Sequence, residues 1–210
     1  MRLPTLSAAF AALCLALPTT AQHGMEKMQV FGGPSQRACS SVILFGQNIM
    51  AGMTITHGQP VWQDKYTGML NQLKGKTLRL GKDLWTTFMT SVAVEIGGTK
   101  VPAGSYCAGL VCDDAGNFSL ALIDSTTTMK KGLMPFGPQE WKPEVLIPLT
   151  LNKDVTKKSV EKMTMTLVTE KDNPMKGMFT LAWGPHSLTA PMQVHSEKKA
   201  AEASADKAGK

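Results

Sequence analysis

Residues 86–123 read TTFMTSVAVEIGGTKVPAGSYCAGLVCDDAGNFSLALI, and this stretch decides the fold. Val92, Val94 and Ile96 alternate with Ala93 and Glu95, the period of two of a strand with one buried face. Gly97-Gly98 follows, a pair that supplies the positive φ of a hairpin turn. Pro102-Ala103-Gly104 opens the next strand, with proline where no ladder donor is needed. Residues 106–111 are apolar throughout, which suits burial on both faces. Asp113-Asp114-Ala115-Gly116-Asn117 is a turn, and Phe118, Leu120 and Leu122 resume the alternation on the return.

Working outward, further strands are expected over 41–45, 53–57, 145–151, 163–167, 178–183 and 187–194. Pro148 places the 145–151 strand at an edge or a bulge. No long helical period competes, and a short helix near 65–73 fits the weaker patterning there. The expectation is an all-β antiparallel sandwich, jelly-roll-like, with about eight strands and little helix.

The ends differ from this middle. Arg2, an apolar run over 6–17 and the small residues Thr19 and Ala21 make residues 1–21 a signal peptide. The run is too short to span about 30 Å of hydrocarbon as a helix, and no later segment is long and apolar enough. Residues 22–38 are then a flexible N-terminal segment, 39–194 the β domain, and 195–210 a disordered tail rich in Lys, Ala and Glu. The expected location is outside the cytoplasm, periplasmic or extracellular, in soluble form. Formal net charge is +6, but the lysines are scattered and the aromatics few. Nucleic-acid binding requires a clustered basic face with stacking rings, so it is set aside.

The motifs form an ordered series. His57-Gly58-Gln59-Pro60 comes first, then Lys65-Tyr66-Thr67-Gly68. Gly75-Lys76-Thr77-Leu78-Arg79-Leu80-Gly81-Lys82-Asp83-Leu84-Trp85-Thr86-Thr87 is third, and Gly98-Thr99-Lys100-Val101-Pro102-Ala103-Gly104-Ser105-Tyr106 last. In this order and spacing the chain resembles the bacterial exported family called domain of unknown function 2911. Its members carry Y-S-R-P, R-K-I-F-G, G-K-V-W-R-T-G-A-N-E-A-T-T and N-G-K-x-L-P-A-G-x-Y in turn. The resemblance implies fold and export and no particular chemistry. The family's polar cluster maps onto Gln59, Arg79, Asp83 and Leu84, so one of its charges is kept, one amide has become an acid and two charges are gone.

Arg79 with Asp83 is the best polar pair, because a guanidinium fork suits carboxylates and phosphates. With Gln59, His57 and Lys65 it makes the candidate ligand-binding set; no catalytic or metal residue is assigned. A structural salt bridge at Arg79 and a satisfied core histidine at His57 are the competing readings. No G-x-S-x-G, H-E-x-x-H or Cys-x-x-Cys occurs, so neither a serine-hydrolase elbow nor a zinc site has a motif behind it. Fourteen methionines, with Met25/Met28, Met50/Met53 and Met175/Met178 three apart, raise copper as a soft-metal alternative. Cys107 and Cys112 are five apart on one strand and cannot meet, so any disulfide pairs Cys39 with one of them. The leading expectation is a non-catalytic binding or envelope-associated module without a cofactor, whose partner is a small molecule or an envelope component. A hydrolase-like enzyme near Arg79/Asp83 and a copper binder are the alternatives.

Overall fold

The structure, a computed structural model, describes residues 36–46, 49–135, 141–152 and 159–195. The expected signal peptide, the chain up to residue 35, the Met25/Met28 pair and the tail from 196 lie outside the described residues. The strands in chain order are β1 (Arg37–Gly46), β2 (Ile49–Gly58), β3 (Lys76–Arg79), β4 (Thr86–Thr90), β5 (Val94–Ile96) and β6 (Thr99–Val101). There follow β7 (Gly104–Cys112), β8 (Phe118–Asp124), the helix α1 (Ser125–Lys130), β9 (Val145–Leu151), β10 (Val160–Thr169), β11 (Lys176–Gly184) and β12 (His186–Val194).

The fold is all-β and antiparallel, as the alternation predicts, but with twelve strands among the described residues rather than about eight. They form one path, β1-β2-β4-β7-β8-β9-β12-β11-β10, rather than two separate sheets. β3 adds to β7, and the β5–β6 hairpin adds to β12 through Val94–Ile96. The three strands absent from the sequence reading are short or atypical. β3 is KTLR, with no alternation. β4 points Thr86, Phe88 and Thr90 inward. These threonines are tolerated because Thr86 Oγ1 donates to the Leu80 carbonyl at 2.9 Å and Thr90 Oγ1 to that of Val92 at 2.6 Å. Gly97 and Gly98, both at positive φ (56° and 76°), make the turn of a tight hairpin, as expected. The return strand β6 ends at Val101, before Pro102.

The path curls until its two end strands approach, so the sheet is nearly closed. The core lies inside it, with Met53, Ile55, Phe88, Leu120, Leu122, Ile147, Met165 and Phe179 fully buried. The seam is joined mainly by side chains. Ser40 Oγ accepts from Leu167 N (3.0 Å), His57 Nε2 from Met165 N (3.2 Å), and Gln59 Nε2 donates to Met163 O (3.2 Å). A strand edge with unpaired backbone groups is a liability, and here β10 has that edge satisfied from β1, β2 and the residue after β2. At one end the backbone takes over, through the single bridge Val61–Lys162.

β1 begins at Arg37, two residues inside the segment read as flexible. The three described cysteines are free thiols, so the expected pairing of Cys39 with Cys107 or Cys112 is not made. The register explains why for Cys107: Cys39, Thr56, Thr87 and Cys107 sit side by side on four successive strands. Three strand spacings separate the first from the last, about 14 Å, twice the reach of a disulfide. Cys112 instead faces the core. The helix expected near 65–73 is two 3-10 turns, Asp64–Tyr66 and Met69–Gln72.

Candidate functional site

Beyond β2 the chain does not turn straight into β3. Residues 59–75 cross one end of the curled sheet as a strap, and hydrogen bonds to β10 and β11 hold its start. The Pro60 carbonyl accepts from Trp183 Nε1 (2.9 Å) and from Met163 N (3.0 Å), and Trp62 N donates to Glu161 O (2.6 Å).

Aromatic packing fixes the strap above those bonds. The Trp62 ring meets Trp183 (5.2 Å), His186 (5.6 Å) and Tyr66 (5.8 Å) edge to face, and Tyr66 lies 5.1 Å from Trp183. Lys65 places its ammonium 5.3 Å from the Tyr66 ring centre. The Trp62 ring lies directly over Gly184, where a Cβ would fall 2.2 Å from ring carbon Cδ2. Gly184 also has φ +58°, so glycine serves both the turn and the ring above it.

Past this cluster the second 3-10 turn sets Met69, Leu70 and Leu73 over an apolar cavity of about 240 Å³. Leu110 and Phe118 come from β7 and β8, and Leu151, Leu181 and Leu188 from β9, β11 and β12. A cavity at the mouth of a curled sheet, walled by aliphatic side chains with few polar groups, is the usual form of a small-molecule site. Arg79 is the one charged residue among the lining residues, and His186 the one histidine.

β3 stops at Arg79, which pairs with Gly109 on the outer, Trp141-covered face of β7, whereas Leu78 pairs with the inward-facing Leu110. The chain turns at Gly81 (φ 80°) and again at Asp83, which adopts φ 64°, a conformation Asp tolerates better than most residues. Arg79 is half-buried, and its Nη1 donates to the Asp83 main-chain carbonyl at 2.9 Å. The guanidinium is thus anchored by one of its five N–H groups. Burial holds the His186 imidazole below its ordinary pKa, so at neutral pH it is uncharged and offers a hydrogen bond rather than a charge.

The structure separates the other candidate residues from this cavity. His57 is fully buried with its Nε2 among the backbone atoms of β10. Its pKa is lowered chiefly by burial, with the Arg37 charge adding to the effect and a hydrogen bond with the Met163 backbone opposing it. Its Nδ1 has no hydrogen-bond partner among the described residues. Gln59 binds the same Met163 carbonyl, and Lys65 belongs to the aromatic cluster. Of the expected set, Arg79 is among the lining residues, Asp83 supports it through a carbonyl, and the other three stand on the seam and the strap.

Met50 is exposed while Met53 is in the core, and Met175 packs against the core while Met178 faces outward. Neither pair brings two thioethers together. Among the described residues no group of three or more His, Cys, Asp or Glu converges on a point. Sequence reading missed the cavity because its walls are ordinary strand leucines from five separate segments. The one local sign was Trp183-Gly184-Pro185-His186, a turn flanked by two rings.

No helix among the described residues is long and apolar enough to cross a membrane. No curated protein and no solved structure matches the chain. Residues 45–192 match the family model described as protein of unknown function (DUF2911), and with well over half its length matched the chain belongs to that family.

Proposed function

We propose that this protein is a non-catalytic binding module that works outside the cytoplasm and holds a small apolar molecule in the cavity beneath the strap. The single observation behind the reading is that cavity: about 240 Å³, walled by leucines and roofed by Met69, Leu70 and Leu73. Interiors pack to crystal density with few voids larger than water, so a space of this size at the end of a core has a use. Export rests on the leader-like residues 1–21. Binding is favoured over hydrolysis because the walls are aliphatic and His186, the one histidine on the lining, has no carboxylate, hydroxyl or thiol side chain beside it there to complete an acid–base or nucleophilic pair.

The test is titration with the neutral ten-carbon dye 1-naphthylamine, whose fluorescence responds to apolar surroundings. One saturable site per chain is expected, and Leu70→Trp should abolish it by filling the cavity from the half-exposed strap side. A dye that does not bind, or that binds the Leu70→Trp protein equally well, defeats the reading.

A further inference from the structure

The register of β11 and β12 decides which polar side chain enters the space beneath the strap. Leu188, Ala190, Met192 and Val194 belong to the core, so every second residue of β12 faces inward. His186 falls on that face, one step before Leu188, at the strap end of the strand. Its cross-strand partner is Trp183, as Leu181 is that of Leu188, and all four line the space. Arg79 leaves β3 on the other face, with Gly109. Trp183 Nε1 is already bonded to the Pro60 carbonyl. The His186 imidazole is therefore the polar group that the strands deliver to the cavity.

The ring of His186 meets Trp62 edge to face at 5.6 Å, and neither of its nitrogens has a hydrogen-bond partner among the described residues. A neutral imidazole has one nitrogen that donates and one that accepts. A hydroxyl group does both, so it satisfies either tautomer. An ionised carboxylate satisfies only the donor, and it brings into an aliphatic space a charge that no inward-facing cation pairs. Size limits the rest of the ligand. An engineered 150 Å³ apolar cavity holds benzene, and by proportion about 240 Å³ takes roughly ten carbon atoms.

Resting on the binding reading above, we infer that the ligand is a neutral compound of about ten carbons with one hydroxyl group, its hydrocarbon among the leucines and its hydroxyl on the His186 imidazole. Binding transfers no proton and breaks no bond.

The experiment is calorimetric titration at pH 7.5 of naphthalene, 2-naphthol and 2-naphthoate, each below its solubility limit, into the full-length processed protein and its His186→Phe and His186→Leu variants. Naphthalene reports the cavity alone. One net hydrogen bond should make 2-naphthol bind about 2- to 10-fold tighter than naphthalene, and the carboxylate should bind weakest. His186→Phe keeps a ring against Trp62, and His186→Leu repeats the test with a smaller side chain. In both, naphthalene should still bind while the preference for 2-naphthol is lost. Equal binding of naphthalene and 2-naphthol to the unaltered protein, a preference that persists in the variants, or a carboxylate that binds most tightly overturns the hydroxyl assignment and leaves the apolar cavity standing. If none of the three binds the unaltered protein, the cavity reading falls with it.

Discussion

Replacing Gly184 by alanine should destabilise the protein through two separable effects. The first is backbone strain, since Gly184 has φ +58° and a left-handed alanine costs about 1–2 kcal/mol. The second is collision, since the new Cβ would lie 2.2, 2.3 and 2.6 Å from Cδ2, Cε3 and Cε2 of Trp62. That ring cannot simply swing aside. Its own backbone N–H is bonded to Glu161 O, and Trp183, His186 and Tyr66 meet it edge to face. Forcing such a ring out of place costs about 1–3 kcal/mol by the measure of overpacked cores.

Gly98 provides the control, because it has φ +76° with nothing within 4 Å of a Cβ position. Gly98→Ala should show the strain alone. With roughly 2–4 °C of melting temperature per kcal/mol for a chain of this size, Gly98→Ala should lower Tm by roughly 2–8 °C and Gly184→Ala by about 4–20 °C. Scanning calorimetry measures both, and tryptophan fluorescence should shift only in Gly184→Ala. If the two variants melt together and the Gly184→Ala spectrum is unchanged, the strap is not held by Trp62 and the roof of the cavity has been misassigned.

Two further outcomes are expected. His57 and His186 both titrate below the ordinary histidine value of 6.5, each chiefly because of burial. The unfolded chain then takes up protons first as pH falls through 6.5, so stability present above that pH should decline toward pH 5; urea unfolding at pH 7.5, 6.5 and 5.5 should show it, and the slope should flatten in His57→Gln, whereas an unchanged slope would contradict the role of His57. Among the described thiols Cys39 is exposed and Cys107 and Cys112 are buried, so a maleimide should label Cys39 alone in native buffer and the other two only in denaturant, as peptide mass mapping would read out, and prompt labelling of Cys107 or Cys112 would refute the burial.

Strands with clean alternation were legible. Met163, Met165 and Leu167 face inward on β10 just as their spacing from Thr164 and Thr166 requires. Gly97-Gly98 turns as its φ freedom predicts. β4 was not legible, because Thr86 and Thr90 are polar by type and become core residues only when Leu80 and Val92 offer carbonyls. β3 and β6 were not legible because they are only four and three residues long, too short to show an alternation. At the site, Arg79 stood out as a charge between two leucines, and the structure puts it half-buried against a main-chain carbonyl as that position suggests. His57 was grouped with it through proximity in sequence to Gln59 and Pro60. Its real role depends on β10, 106 residues away. The cavity needed the full topology, since no local pattern announces that leucines from β7, β9, β11 and β12 leave a space between them.

The side-chain seam has a consequence for how the chain reaches its native state. Ser40 bonds to a partner 127 residues later, and His57 and Gln59 to partners 108 and 104 residues later. Closing loops of that length comes late, after the hairpins have formed from local contacts. Until it happens, β1 and β10 both present unpaired edges, and β1 carries Ile43 and Phe45 on its outer face. An open edge flanked by exposed apolar side chains is a template for another chain. Refolding therefore competes with association between half-closed molecules, so the yield of native protein falls as chain concentration rises, and the residues that close the seam protect the chain as much as they stabilise it.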